Sequence, residues 1–387
     1  MTARELKDSY IVWVLAPLLE TDDPELQYYY DFTQSHGEYT KVFDEIGCEW
    51  YWTNVTINTI DEVLDKIANH NSSKTSVVVN LCDGDELNAV PGLSVIKGLN
   101  KRNIIYTGSD EHFYTITTSK IPMKEAFDKH AVSTAPWKVV NGSTANAQQL
   151  FREIGDVMIV KPAISAGSMG LGIRNVVDNE EAYKKIVFEM QNGYHGWKLD
   201  SGGLFVEEFI QGREFTTLVV GSSTNPSKLH CYPPVERVFH KSLPEKEKFL
   251  SYDRLWNMYK EEQAMPNEEN LYEYLMPEDK LVPIIQQLSI DAFKSVGGMG
   301  YGRLDIRMNT QTGKLYVLEV NAQCGLSEDE DYTSIGAILR FAKKSFTYLI
   351  IEIIEDALMR HHVDTKHNLH SGSIPPVSPN TKRNPPL

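Results

Sequence analysis

Short apolar runs alternate with amphipathic stretches over the first hundred residues. Tyr10–Leu15, Glu49–Thr56 and Ser76–Leu81 are rich in β-branched and aromatic residues and short enough to be buried strands. Between them, the region around Tyr39–Ile46 and Ile60–Asn69 space their apolar residues as helices do. Strands alternating with helices predict a parallel α/β sheet, closed by the run Asn103–Ser109. Further on, Lys120–His130 has a helical pattern, and strands follow at Trp137–Val140 and in DVMIVKP, ending at Lys161. Gly203–Phe209 and Glu214–Val220 are two more strands. From Ser222 to about Asp279 the chain is polar with little periodicity, which reads as strands, a long loop and a helical insertion. A helix then runs from Pro283 to Val296, a hairpin follows, and a further helix spans Ser334–Ile354. The stretch FTYLIIEIIEDALMRHH is apolar but carries Glu352, Glu355 and Asp356, so it predicts an amphipathic helix on the protein body. The Pro-, Asn- and Ser-rich segment 362–387 predicts disorder.

Composition narrows the function classes. The 387 residues carry a formal net charge of -15, which argues against a nucleic-acid partner. A bound nucleotide needs only a local positive cluster and stays open. The apolar run near the N-terminus is too short and interrupted for a signal peptide or a membrane span. Cys48, Cys82, Cys231 and Cys324 are dispersed and form no CxxC pair, so reduced thiols in a cytoplasmic protein are expected, with no zinc site.

The hairpin YGRLDIRM–NTQTG–KLYVLEVN carries the strongest chemical signal. Side chains alternate along a strand, so Leu304, Ile306 and Met308 face a core, while Tyr301, Arg303, Asp305 and Arg307 share the other face. With Asn309–Gly313 as the turn, simple alternation sets Asp305 opposite Val317 and one diagonal step from Glu319, with Asn321 on the same face. Two carboxylates and an amide oxygen beside Arg303 suit Mg²⁺ on nucleotide phosphates. A solvated polar face in which the acids merely pair with Arg303 accounts for the spacing equally well.

Two further segments add to this. After Lys161 comes SAGSMGLG, Ser165–Gly172, whose small residues let backbone N–H groups approach an anion. It is neither a P-loop nor a dinucleotide fingerprint, and a surface loop explains it as well. In LFVEEFIQGREFT, Glu207 and Glu208 adjoin apolar residues, and Glu214 follows Gly212. A carboxylate there suits ribose hydroxyls, or is simply an exposed acidic strand end.

Taken in order, these segments resemble the ATP-grasp superfamily, and within it the D-alanine–D-alanine ligase-like branch. The resemblance runs from about Ile11 to Ala357 and includes VVNLCDGDELNAVPGL, IIYTGS, SKIPMKEAFDKHAVSTAPW, VKPAISAGSMGLG, EEFIQGREFT, YGRLDIRM and LEVNAQCGLS. It implies an N-terminal α/β pre-ATP-grasp domain at 1–119, a central ATP-grasp subdomain at 120–205 with the phosphate-covering loop, a C-terminal subdomain at 206–361 with the metal site, and a tail at 362–387. It also implies ATP, with Mg²⁺ or Mn²⁺, small carboxylate and amine substrates, no membrane, and a homodimer. By resemblance, Lys120 and Lys161 contact phosphate under the loop that includes Ser168. Glu207, Glu208, Phe209 and Ile210 line the adenine, and Glu214 binds the ribose. Asp305, Glu319 and Asn321 are the metal ligands, Arg303 is the transition-state arginine, and the Gly325 amide helps hold the tetrahedral intermediate. The implied reaction forms an amide through an acyl phosphate.

The departures from the branch bear on the substrates. Gly167 stands where its members have a serine, and Leu255 where they have a lid lysine, with Arg254 or Lys248 as substitutes. APLLETDDPELQYYYDF lacks the His-Glu segment that holds the first amino group. Past Gly325 the chain offers SEDEDYTS in place of a serine for the acceptor's carboxylate. Glu328, Asp329, Glu330 and Asp331 would repel a carboxylate, which favours a basic or carboxylate-poor acceptor over D-alanine; alternatively the acids only cap the next helix. A D-alanine–D-alanine ligase proper, another ATP-grasp outcome such as a kinase, and a nucleotide-binding protein without activity are the competing readings.

Overall fold

A computed structural model describes residues 1–371 other than 23–26, 28–29, 88, 141–146, 166, 194–198, 259–261 and 266–268, with side chains as far as residue 362. Helix α1 (Ala3–Ser9) leads into β1 (Tyr10–Pro17), α2 (Thr33–Ile46), β2 (Glu49–Val55), α3 (Ile60–Ala68), β3 (Thr75–Asn80), α4 (Leu93–Lys101) and β4 (Ile105–Tyr106). The strands form a parallel sheet in the order β2-β1-β3-β4. Alternation along β1 explains why both of its faces are apolar. Val12 and Val14 pack with Tyr39 and Phe43 of α2, while Ile11, Trp13 and Leu15 pack with Leu64 of α3 and Leu99 of α4.

Helices α5 (Glu111–Thr118) and α6 (Lys120–Lys129) follow. The next unit comprises β5 (Trp137–Val139), α7 (Ala147–Ile154), β6 (Met158–Pro162), β7 (Val176–Val177), α8 (Glu180–Gln191) and β8 (Leu204–Glu208). Its antiparallel sheet, β5-β8-β6-β7, has its own core, including Met158, Val160, Tyr183, Ile186 and Val206.

The third sheet has the order β12-β11-β9-β13-β14, with β10 on β9. Its elements are β9 (Gly212–Val220), β10 (His230–Cys231), β11 (Val235–Phe239), α9 (Tyr252–Leu255), β12 (Tyr272–Leu275), α10 (Val282–Ser295), β13 (Tyr301–Asn309) and β14 (Leu315–Ala322). Leu304 and Ile306 bury against Phe127 of α6 and Phe293 of α10. The opposite face of β13 is left for Arg303, Asp305 and Arg307.

The C-terminal helix differs from the expectation in two ways. Lys343 adopts a left-handed conformation (φ 54°) and ends α11 (Ser334–Ala342), so the predicted Ser334–Ile354 helix is two helices. No glycine marks this stop, because a lysine itself takes the left-handed position. Helix α12 (Phe346–Ser371) then extends into the segment expected to be disordered. Residues 362–371 hold no Pro or Gly, and the prolines begin only at Pro375. The rest of the expected tail, 372–387, lies outside the described residues. Phe346, Leu349, Ile350, Ile353, Ile354 and Ala357 form the apolar stripe of α12 and join the same core as β1 and α2.

Candidate active site

The hairpin brings the predicted residues together in a tighter register than alternation predicts. Asn309–Gly313 is the turn, with Gly313 at φ 69° and its N–H donating to the Asn309 carbonyl at 2.8 Å. The register shifts between Asp305 and Ile306, so Asp305 lies directly opposite Glu319, Arg303 opposite Asn321, and Ile306 opposite Val317. The predicted Asp305–Val317 pairing is thereby corrected. Leu318 is the extra residue of a bulge on β14. The bulge turns Val317 into the core while Glu319 stays on the Asp305 face.

Arg303 donates through Nε and Nη2 to Asp305 Oδ2, at 3.3 and 3.1 Å. Asn321 Nδ2 donates to Asp305 Oδ2 at 3.1 Å and to Glu319 Oε1 at 3.2 Å. Asp305 Oδ1 is buried with no partner. Burial raises the affinity of Glu319 for a proton, but Lys120, Lys161 and Arg303 outweigh it and hold the carboxyl at about 2. Glu319 is therefore ionised, and one Asp305 oxygen is orphaned, which fits a divalent cation. Among the described residues no three His, Cys, Asp or Glu converge on such a point. The set is two carboxylates completed by an amide.

Two lysines of α6 face this hairpin. Lys120 Nζ lies 3.5 Å from Glu319 Oε2 and donates to the Ser165 carbonyl at 2.9 Å. Lys124, one helical turn on, is fully buried and reaches Glu207 Oε2 at 2.5 Å and Thr134 Oγ1 at 2.7 Å. Lys161 at the end of β6 takes the other oxygen, Glu207 Oε1, at 2.6 Å. Burial alone would raise the Glu207 pKa, but Lys124 and Lys161 overcome it and hold the group below the usual carboxylate range. Glu207 is thus saturated by two ammonium groups. Lys124 gave a usable signal, being four residues from Lys120 on one helical face.

The Gly-rich loop projects over these lysines. Gly167, Ser168 and Gly170 all have positive φ, at 52°, 61° and 77°. Ala166 lies outside the described residues. The insertion reaches back onto the loop: Trp256 Nε1 donates to the Gly167 carbonyl at 2.8 Å, the Tyr252 N–H to Leu171 at 2.8 Å, and the Ile173 N–H to Glu262 Oε1 at 2.8 Å. Of the two candidates for the lid cation, Arg254 is partly buried and paired with Glu247 at 2.7 Å. Lys248 pairs with Glu245 at 2.5 Å and borders a cavity of about 620 Å³.

Glu208, Phe209 and Arg237 border the same cavity. Burial raises the Glu208 carboxyl, opposed by Lys314. Phe209 and Ile210 are buried. The Glu214 carboxylate is already engaged through both oxygens. Arg307 Nε and Nη2 donate to its Oε2 at 3.0 and 2.9 Å, and Arg237 Nη1 grips its Oε1. Arg307 Nη1 also donates to the Ile210 carbonyl at 2.9 Å, and its guanidinium lies 5.0 Å from the centre of the Phe209 ring. The hairpin pattern placed Arg307 on the site face without giving it a task. Arg237 gave no signal, because it lies in the aperiodic insertion.

Gly325 is exposed, and a Cβ there would meet nothing within 4 Å. Three of the four acids after it, Glu328, Asp329 and Asp331, have partners of their own. Glu328 pairs with Lys41, and Asp331 lies 3.7 Å from Arg340. Asp329 Oδ1 accepts from the N–H groups of Asp331 and Tyr332 at 3.1 and 3.0 Å. The cap of α11 is Thr333, whose Oγ1 accepts from the Gly336 N–H at 3.1 Å. The acidic run folds into its own turn and does not cap the helix.

A protein-family profile described as "D-ala D-ala ligase C-terminus" matches residues 127–355. A D-alanine–D-alanine ligase of Pseudoalteromonas translucida (strain TAC 125) is 29% identical over 257 residues, covering 66% of this chain and 72% of its own. One of Xanthomonas axonopodis pv. citri (strain 306) is 25% identical over 269 residues, covering 68% and 73%. Among solved structures, the D-alanine-D-alanine ligase from Coxiella burnetii superposes with a TM-score of 0.64 at 16% identity, over 94% of this chain and 99% of that one. The Bacillus anthracis ligase complexed with ATP gives 0.63 at 15% identity, over 92% and 99%.

Proposed function

Because this chain belongs to the D-ala D-ala ligase C-terminus family and has the ATP-grasp fold, we propose that its active site is the convergence of Lys120, Lys161, Arg303, Asp305, Glu319 and Asn321. It is an ATP-dependent C–N ligase of the D-alanine–D-alanine ligase type. In our reading a carboxylate oxygen of the first substrate attacks the γ-phosphorus, and the bond to the departing ADP oxygen breaks. An amine nitrogen of the second substrate then attacks the acyl carbon, expels phosphate and loses a proton. Asp305, Glu319 and Asn321 would hold Mg²⁺, which when bound neutralises phosphate charge. Lys120 and Lys161 meet the phosphates beneath the loop that includes Ser168. Glu208, Phe209 and Ile210 line the adenine, and Glu207 serves by holding Lys161 and Lys124 in place. Glu214 meets the ribose when one of its arginines gives way. Arg303 and the Gly325 N–H stand where oxyanion charge develops.

The single observation that carries this reading is the pairing of Asp305 with Glu319 beside two lysines, with Asp305 Oδ1 buried and unpartnered. For the acceptor we infer an amine other than D-alanine. The support is the acidic run past Gly325, where the neighbouring cations Lys41 and Arg340 are already engaged by Glu328 and Asp331. The names of the curated relatives favour the second reading, D-alanine as acceptor. Mass spectrometry of products from ATP, Mg²⁺ and pooled amino acids and amines decides between them. An amide whose formation needs both a carboxylate and an amine supports the ligase reading, and best turnover with free D-alanine overturns the acceptor assignment. Phosphate release without any amide overturns the active-site reading.

A further inference from the structure

The loop 323–327 carries Gly325 and is tied at both ends to the N-terminal α/β unit. At one end Gln323 Nε2 donates to the Cys82 carbonyl at 2.8 Å, and Gln323 Oε1 accepts from the Ser109 N–H at 3.3 Å. At the other, Ser327 Oγ donates to Glu38 Oε1 at 2.7 Å. Each tie delivers a carboxylate. Asp83 follows Cys82, and Glu38 comes from α2. Gly325 lies in the chain between the tied residues Gln323 and Ser327, and a Cβ there would meet nothing within 4 Å.

Glu38 is an unusual residue for a helix of this kind. It is 4% exposed on a helix whose other inward residues are Tyr39, Val42, Phe43 and Ile46. Gln34 Nε2, at 3.0 Å, and Ser327 both serve its Oε1, while Oε2 is buried with no partner. The hydroxyl of Tyr39, the next residue, 0% exposed, is also without a partner. Lys41, one turn along α2, is spent on Glu328. An unpartnered buried carboxylate oxygen is costly and calls for a donor. Asp83 is solvent-accessible yet crowded: desolvation, then repulsion from Asp85, pushes its carboxyl up to about 6, so it is ionised at neutral pH. The charges act on a common neighbourhood. Tyr39 senses both Glu38 and Cys324, and Cys324 senses Arg303, Asp305 and Asp83.

We infer that Glu38, aided by Asp83, docks a second cationic group of the acceptor, so that the acceptor is a diamine or a basic amine whose other nitrogen is the nucleophile at Gly325. An ammonium offers three N–H donors, one of which satisfies Glu38 Oε2. A carboxylate at the same place would face Glu38 and Asp83, with Lys41 already spent on Glu328. This inference rests on the reading that the acceptor is not D-alanine, and goes beyond it by naming the recognising residues and the charge they require.

The test has two arms. In the first, calorimetry on the full chain, with Mg²⁺ and a non-hydrolysable ATP analogue, compares 1,4-diaminobutane with n-butylamine. The wild type binds the diamine at least about tenfold more tightly, as a charge-assisted hydrogen bond provides. Glu38→Gln, which keeps the shape and the Ser327 bond, brings the ratio close to one, and Asp83→Asn lowers it in part. Equal binding of the two amines by the wild type, or an undiminished ratio in a folded Glu38→Gln protein, overturns the inference. In the second arm, product formation is compared for D-alanine, n-butylamine and 1,4-diaminobutane with the same carboxylate pool. Best use of D-alanine overturns the underlying acceptor reading. Use of both amines without preference for the diamine overturns only the dicationic assignment.

Discussion

At the scale of single residues, burial decides what each charge is worth. Glu214 is almost fully enclosed between the guanidinium groups of Arg237 and Arg307. Removing it leaves two buried cations facing each other. Glu214→Ala is therefore expected to lower unfolding stability by about 3–5 kcal/mol, measured by chemical denaturation; an unchanged midpoint would show that the arginines find other partners. Asp83 behaves in the opposite sense. Its carboxyl, at about 6, lies above the ordinary 3.8, so the fold prefers the protonated form and ionisation weakens the protein as pH rises through that interval. Asp83→Asn should melt at a higher temperature than the wild type at pH 7.5, with the gap closing as pH falls from 6 toward 4. A gap that widens on acidification would contradict the assignment.

At the scale of elements, the insertion serves as a cover for the Gly-rich loop. Trp256, Tyr252 and Glu262 each hold a backbone group of the segment 167–173. A cover of this kind keeps water from an acyl phosphate. Trp256→Ala removes one of these bonds and should raise phosphate release relative to amide formed by up to about tenfold, read by parallel phosphate and mass-spectrometric assays. Much of this level was legible in the chain. The runs at β1, β3 and β9 announced their strands, and period-two alternation put Arg303, Asp305 and Arg307 on one face. The bulge at Leu318 was not legible, because alternation carries no mark for an extra residue, and the true facing of Asp305 and Glu319 went with it. The break at Lys343 was hidden for a related reason, as neither glycine nor proline signals it. Arg237 and Glu38 were silent because their importance comes from residues distant in the chain, which no local pattern encodes.

At the scale of the whole molecule, the cores show how the parts are joined. One cluster unites Val12 and Val77 of the parallel sheet with Leu218 of β9 and with Leu349 and Ile353 of α12. Residues 1–119 alone would expose that surface. Expressed as a fragment, they are expected to bind a hydrophobic dye and to lack a cooperative melt, and a sharp transition would show that the parallel sheet folds independently. The unit around β6 and β8 keeps a core of its own, while its loop is bonded to the insertion at Leu171 and the Lys161 charge acts on Glu319. The Gly325 loop is assembled across the α/β unit and the C-terminal sheet, which no segment could build by itself.

The pair of arginines on Glu214 has one more consequence, and it concerns time. On the proposed ribose role of Glu214, a hydroxyl competes with two guanidinium groups for that carboxylate, and Arg307 is also fastened to the Ile210 carbonyl. On that reading, loading of the nucleotide includes an opening event whose rate is independent of how much ATP is present. In stopped-flow mixing, the observed rate should climb with ATP and then level off. Arg307→Lys, with a single-point contact in place of the fork, should raise the plateau, whereas a rate that stays proportional to ATP would show that the carboxylate is never waited for.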